Sequence, residues 1–453
     1  MVKRIVSFIL TLAMVLCFMP ALADDDVVTL KLWAGVQPEY GYDQVEASFN
    51  EQFKEKGIQV EYVRYVNNTD GNLQLDTYLM SGGDVDIFVN YGGLTRLTPR
   101  KEANLVLGLK ELVEAKGFNP VEELGETNLT TCTIDGDYYA LPTKYENNQW
   151  MFINVDMFNE AGIEIPYNGW TYEQFREAAK KLTHGEGLEK VYGIYWNLTY
   201  GNMVLGINFM NNYLGDYAIY KDLECTETNF DDPQYLRGMQ LIVDTMLVDG
   251  SAPTYADEVA NGMTFDNLFL EGYAAMAMGI ANIRLVKDLQ NYPHDFTTAL
   301  VPAPVPDESY LAYYGDHGNV ATGIGDTICI SSKTQHVDEC VDFVLWYIRG
   351  GMAPLAKGGR LPLWSGVNPD DVVAALMDGA ENVFDTQSVL NYLAIDKSKI
   401  SVTPDRPQYA LAEINTVMEE ELQFAMSGVK TCEQTLADMK SRGDELIRQA
   451  MSR

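Results

Sequence analysis

The sequence predicts an α/β protein, with short, mostly parallel strands and helices packed on both faces of the sheets. Two patterns predict it. Between residues 27 and 89, apolar runs of period two alternate with runs spaced by four, the β-α-β-α-β order of a parallel sheet. Further on, helix starts are written in capping residues, Thr171 with Gln174 and Thr431 with Gln434, each ahead of an amphipathic stretch.

The elements follow in order. Val28, Leu30 and Leu32 alternate in a strand from Val27 to Trp33, and Val45, Phe49 and Phe53 mark one face of a helix closed by Gly57. Ile58, Val60 and Tyr62 alternate in the next strand. Leu75 and Leu79 share a helix face that stops at Ser81-Gly82-Gly83, and Val85 to Val89 is a short apolar strand. Strands are expected over Tyr138 to Leu141, Trp150 to Asn154 and Tyr192 to Tyr195. Trp170 and Phe175 occupy the two staple positions around the Thr171 cap, which makes Trp170 a packing residue. Asp232-Pro233 opens a helix carrying Leu236, Met239, Val243 and Met246. Two more helices carry Val337, Cys340, Val341, Val344 and Ile348, and Leu411, Ile414, Met418, Leu422 and Ala425. Methionines and aromatic rings on these stripes are core by default. No internal repeat, low-complexity tract or long linker divides the chain.

The 453 residues give room for more than one core. Residues 1–23 read as a secretory signal: Lys3 and Arg4 precede an apolar run from Ile5 to Phe18, then Pro20, then the small-residue site Ala21-Leu22-Ala23. Leu16 stands before Cys17 where lipid attachment needs a small residue, so Cys17 is part of the signal and the exported chain is free or held by its transporter. The formal charge of −33 repels nucleic acid and anionic lipid and does not reveal a ligand. The other cysteines, Cys132, Cys225, Cys329, Cys340 and Cys432, are scattered and odd in number, as expected of buried thiols rather than a disulfide framework.

The stretch from Tyr138 to Thr183 is the most specific part of the chain. It reads Tyr-Tyr-Ala-Leu-Pro, a polar crossing, an apolar strand ending at Asn154, then Asp156-Met157-Phe158, Ala161-Gly162-Ile163, Pro166 and Trp170-Thr171 opening a helix. In that order and spacing it resembles the mid-sequence hallmark of bacterial extracellular solute-binding proteins of the sugar-binding type, the receptors of ABC importers. Leu268 to Met278, Ala299 to Pro306, Ser331-Ser332-Lys333 and Gly359 to Pro362 also resemble elements of that family, as does the opening strand ending in Trp33. Gly83-Asp84-Val85-Asp86 departs mildly from the family's Pro-Asp strand.

The resemblance implies a two-lobed periplasmic-binding-protein-like fold (type II), the lobes hinged around a cleft. By analogy the first lobe comprises residues 24–143 and 324–368, and the second 144–323 and 369–453. The chain is expected to cross between them near Thr143 to Glu146, Gly323 to Asp326 and Gly366 to Asp371. Gly323-Ile324-Gly325 suits either a hinge or a tight turn before a strand.

Catalytic signatures are absent from the sequence. The four histidines form no H-E-x-x-H arrangement, and there is no nucleophile elbow, phosphate loop or dinucleotide fingerprint. No cofactor or metal is implied; adjacent tyrosines at 138–139 and 313–314 are more readily one buried and one exposed ring than an iron site. Aromatic residues are plentiful, with 27 Tyr, 17 Phe and 6 Trp. A sugar offers apolar C–H faces and hydroxyls, so its receptor needs rings to stack and amide, carboxylate or guanidinium partners. Such residues belong on loops after strands, where α/β clefts open. The candidates are Gln37 and Tyr40 after Trp33; Tyr91 after Asn90; Trp196, beside Asn197; Asn282, near Arg284; Asp316, beside His317; and Trp364. The crossing after Pro142 holds Lys144, Tyr145 and Glu146, and the resemblance makes Glu146 a ligand-contacting acid. The family often has a stacking Trp near the position of Asn282, which this chain lacks.

The expected function is therefore capture of a neutral mono- or oligosaccharide and its delivery to a membrane permease, by a monomer that binds no nucleic acid. The alternatives are the same fold holding a peptide or polyamine, an exported glycan hydrolase, and a surface adhesin.

Overall fold

The computed structural model describes residues 27–146, 150–199, 210, 214, 219–222, 224–279, 282–311, 323–394 and 408–452. Strand β1 (Val28–Ala34) is followed by α1 (Tyr42–Phe53), β2 (Ile58–Arg64), α2 (Thr69–Ser81) and β3 (Ile87–Asn90). Both β2 and β3 pair in parallel with β1. This is the order expected from the alternating runs. Gly57 and Gly82 close their helical segments in the left-handed conformation, at φ of 66° and 67°.

The chain then forms β4 (Leu141–Glu146), and after residues 147–149 enters the second sheet as β5 (Trp150–Asn154). Thr143 to Glu146, where the first crossing is expected, form the end of a strand bonded on both sides, to Gly323–Ile328 and to Leu361–Pro362, and the chain passes to the second sheet directly after it. Pro142 does not interrupt β4, because a sheet accommodates proline near the start of a strand.

In the second lobe, α3 (Tyr172–Leu182) begins with the expected capping box: Thr171 N–H donates to Gln174 Oε1 at 2.8 Å and Gln174 N–H to Thr171 Oγ1 at 3.3 Å. The Trp170 and Phe175 rings meet edge-on at 5.2 Å, and Trp170 Nε1 donates to the Pro302 carbonyl, so Trp170 packs as expected. Next come α4 (Pro233–Val243), β6 (Met276–Met278), α5 (Ile283–Lys287) and β7 (Thr298–Pro302). Of the expected strand Tyr192 to Tyr195, Tyr192 and Tyr195 form only isolated bridges, parallel to Ala274 and Ala277.

The chain returns to the first sheet through β8 (Gly323–Ile330), α6 (Val337–Trp346) and β9 (Leu361–Pro362). The six strands lie in the order β9-β4-β8-β3-β1-β2, and the second sheet in the order β6-β5-β7. The first sheet is mixed and the second antiparallel: β8 runs against β3 and β4 while β2 and β3 run with β1, and β5 runs against β6 and β7. The reason is the connectivity. A chain arriving from the other lobe enters at the junction and has to run away from it, against strands that end there.

Helix α7 (Pro369–Met377) buries Val372, Leu376 and Met377 in the same apolar cluster as the first sheet. The chain reaches the second sheet only where Thr298 N–H donates to Val383 O and Asp385 N–H to Thr298 O, ahead of α8 (Thr386–Leu393). Gly366 to Asp371, where the third passage is expected, run into α7, whose apolar side packs with the first lobe. One apolar cluster runs from Leu30 and Ile87 through Phe152 and Phe269 to Val383 and Tyr392, so the lobes share a core at their junction. A second core joins α4 to the hairpin of α9 (Leu411–Met426) and α10 (Cys432–Met451), through Met239, Met418, Leu422, Met439 and Ile447. The five cysteines from Cys132 to Cys432 are buried thiols.

Candidate functional site

Three residues between Glu146 and Trp150 span at most about 14 Å, so the end of β4 and the start of β5 lie close together and mark where the sheets face each other. Register then assigns each loop to that side or away from it. In the first lobe the junction side carries the residues after Ala34 and Asn90, Glu146 itself, the start of β8 opposite it, and Arg360 just ahead of β9. In the second lobe it carries the residues after Tyr195 and Met278, and Pro302 opposite Trp150.

Tyr91 stands on the first-lobe wall. Its Oη accepts the Gly35 N–H at 2.9 Å, and its ring lies 6.2 Å from that of Tyr65. Burial pushes its phenol well above the usual range, so it remains a neutral buttress under the loop that carries Gln37. Gly35 is required there: a Cβ would come 2.9 Å from Asn67 Cβ and 3.2 Å from the Tyr91 ring. Asn90 is fixed by buried Arg100, whose Nη1 donates to Asn90 Oδ1 at 2.8 Å while its Nε donates to Asp76 at 2.7 Å. Gln37 is half-buried, capping the short turn Pro38–Tyr40. Tyr40 is half-buried beside Gly358, and its hydroxyl, raised by burial, feels the charge of Arg284 across the junction.

Beside Tyr91 lies a charged group. Asp326 accepts from Arg360 Nε at 3.0 Å and stands 3.7 Å from Lys144 Nζ. The Asp326 backbone is left-handed, at φ +47°, and its carbonyl accepts from Thr143 Oγ1 at 2.5 Å. Burial alone would lower the Arg360 pKa; Asp326 and the tyrosine hydroxyls more than offset that and keep the guanidinium charged. The left-handed turn falls one residue after the expected Gly323-Ile324-Gly325 hinge, inside a strand, at an Asp rather than a Gly. Side chains could not reveal Arg360 in the sequence; only its position one residue ahead of Leu361-Pro362 hinted at it.

The second-lobe wall is an amide cluster. Asn197 is left-handed at φ +57°, a conformation Asn tolerates, and its Nδ2 faces the Met278 carbonyl at 3.5 Å. Asn282 is 2% exposed, and its Nδ2 finds no acceptor among the described residues. Gly279, at φ +113°, lets the two amides approach, since a Cβ there would lie 2.8 Å from Asn197 Nδ2 and 3.1 Å from Asn282 Nδ2. Buried Glu258 holds the Asn197 loop by accepting from Thr199 N–H at 2.8 Å and Thr199 Oγ1 at 2.7 Å.

The sequence-selected residues thus divide. Gln37, Tyr40, Tyr91 and Asn282 border the junction, and the backbone of Glu146 ends β4 there. Trp196 does not: it is 2% exposed, its Nε1 donates to Thr245 Oγ1 at 2.8 Å, and its ring packs on Phe175. Trp364 does not either. Leu363 N–H donates to Thr143 O, so Trp364 sits level with Pro142, about 13 Å along the sheet from Glu146, where its Nε1 donates to Glu123 Oε2 at 3.1 Å. Asp316, His317 and the 313–314 tyrosine pair lie outside the described residues. Among the described residues no cluster of His, Cys, Asp and Glu suits a metal, and no helix is long and apolar enough to cross a membrane.

Comparison with known proteins agrees with this architecture. The family model for bacterial extracellular solute-binding proteins matches residues 38–349. A search of curated proteins finds no significant match. A sugar transporter from Rhizobium etli, in an open conformation, has a TM-score of 0.67 at 22% identity, over 92% of this chain and 99% of its own. A Listeria monocytogenes ABC substrate-binding protein in complex with cycloalternan gives 0.66 at 19% identity, over 94% of this chain and 100% of its own. The sugar-binding protein MalE from Xanthomonas citri gives 0.62 at 17% identity, over 94% and 98%. With the family model spanning more than half of its length and two α/β lobes facing each other across a junction, this chain belongs to the bacterial extracellular solute-binding protein family.

Proposed function

We propose that the protein is the solute receptor of an ABC importer and captures a carbohydrate between its lobes, delivering it unaltered to a membrane permease. The observation that carries this reading is the pair of facing walls. One holds Gln37, Tyr91 and the Lys144–Asp326–Arg360 group; the other holds the amides of Asn197 and Asn282. Hydroxyl-rich solutes need such fixed donors and acceptors, because each buried hydroxyl left unpaired costs about 1–3 kcal/mol. The similar structures from Rhizobium, Listeria and Xanthomonas are a sugar transporter, a complex with cycloalternan and a sugar-binding protein, which point the same way. Contacts made by both lobes favour the closed arrangement, and the permease reads that shift. The reading includes export through the signal at residues 1–23, a monomer, and no chemical step.

Calorimetry against a panel of mono- and oligosaccharides tests it, together with mass spectrometry of solute carried through purification. Saturable binding of a sugar recovered intact is expected. Binding of a peptide or polyamine with silence across the panel would refute the sugar assignment, and glycan turnover lost in Glu146→Gln would refute the receptor.

A further inference from the structure

The helix α5 leaves the second-lobe wall at Asn282, yet its side chains are seated in the first lobe. Lys287 Nζ donates to three main-chain carbonyls, of Lys357 at 3.3 Å, Ala375 at 3.2 Å and Leu376 at 2.5 Å. The first belongs to the turn Ala353–Gly358, which packs in the first-lobe core. The other two lie in the last turn of α7, where carbonyls lack partners within the helix and the dipole favours a cation. At the other end of α5, buried Ile283 lies over Gly359, whose Cβ position is 3.8 Å from Ile283 Cδ1. Arg284, between them, acts on the Tyr40 hydroxyl. Three side chains of this short helix therefore engage the first lobe, while its chain begins at the amide cluster of the second.

The charges facing the Lys287 ammonium are Asp378 and Glu381, which favour its proton, and Lys357, which opposes it. Lys357 is itself paired with Asp378 at 3.2 Å. Arg284 and Asp288 flank it on its own segment. Among the described residues no carboxylate forms an ion pair with Lys287, so main-chain oxygens hold it. Such partners are fixed by α7 and the turn and do not swing as a side chain does.

We propose that Lys287 is a positioning residue for solute capture: it pins α5 to the first lobe, so that relative motion of the lobes bends the chain at Gly279 and Asn282 meets the solute from a fixed place. This rests on the receptor reading. The left-handed Gly279 beside Asn282 supplies the backbone freedom such a bend requires.

Burial lowers the Lys287 pKa from the ordinary 10.5 to about 8. The seated lysine therefore sheds its proton before a released one does. By linkage, raising pH from about 8 to 10.5 favours the seated state over a released one.

The test needs no sugar. Fluorescent labels are placed on Lys54→Cys, directly after α1, and Lys181→Cys in α3, both exposed positions, with Cys17 replaced by Ser; the other native thiols are buried and do not compete. Energy transfer between the labels reports the spread of lobe separations. The distribution of the parent protein is expected to narrow as pH rises from about 8 to 10.5. Lys287→Met is expected to broaden it and abolish that response, with the far-ultraviolet circular dichroism unchanged. Lys357→Ala keeps its carbonyl, removes the opposing charge and frees Asp378, so it is expected to move the response to higher pH. Unchanged width and pH response in a folded Lys287→Met protein would overturn the proposal, as would an unmoved or lowered midpoint in Lys357→Ala. Neither outcome bears on which solute is bound, so the sugar assignment and the pin fail separately.

Discussion

Replacing Asp326 with Asn removes a charge while keeping size and backbone tolerance, and the surroundings set the cost. Asp326 accepts from Arg360 Nε at 3.0 Å and lies 3.7 Å from Lys144 Nζ. At an effective dielectric constant of about 20, the closer attraction is about 5 kcal/mol before solvation is counted. The Arg360 and Asp326 side chains are 22% and 12% exposed, so water screens the pair and rehydrates a freed cation. The net loss is about 2–3 kcal/mol, between surface and fully buried pairs. Asn accepts the φ of +47° as Asp does, so Asp326→Asn isolates the charge. Asp326→Ala adds about 1–2 kcal/mol of left-handed strain. In a chain of this size each kcal/mol lowers Tm by about 1 °C, so scanning calorimetry should show a fall of about 2–3 °C for Asn and about 1–2 °C more for Ala. A Tm within about 1 °C of the parent for Asp326→Asn, or Ala no worse than Asn, would refute the reasoning that this carboxylate holds the two cations and the turn.

Glu258→Gln tests the support under Asn197: burial raises the Glu258 pKa, so the folded state holds its proton more tightly than the unfolded chain does. Its stabilisation is then full below the ordinary 4.5 and is lost as pH rises through the raised value, and Gln should flatten urea-unfolding stability above pH 4.5. Gly279→Ala should cost about 1–3 kcal/mol of stability by strain at φ +113° and weaken calorimetric affinity for whichever sugar binds, because its methyl group displaces both amides. Trp364→Phe should lose about 1 kcal/mol with the bond to Glu123 and leave sugar affinity unchanged, since it sits at the other end of the sheet. Thr171→Ala should lower stability by about 1 kcal/mol through the capping box, again without effect on binding.

The site was partly legible in the sequence. A strand end is a local event, so placing Gln37, Tyr91 and Asn282 after apolar runs put them at the junction. Trp196 turns into the core against Phe175 and Thr245, while its neighbour Asn197 takes a left-handed backbone that sets it beside Gly279. Trp364 lies away from the junction for a different reason. It follows an apolar strand, but β9 runs antiparallel to β4, so its end points away from the junction, and strand direction is not written locally. Arg360 and Asp326 lie 34 residues apart in sequence, and nothing near either shows that they meet.

Apolar period, capping pairs and the mid-sequence hallmark determined the α/β class, the helices, the packing role of Trp170 and the family. They act over a few residues, where the backbone's own hydrogen-bonding demands decide the outcome. Only the tertiary structure decided that β5 and β8 run against their neighbours, that α7 stays with the first lobe, and that Lys287 crosses the junction. Those follow from where distant segments pack, because a buried charge or an apolar helix face takes its place from whichever partner the completed fold brings against it.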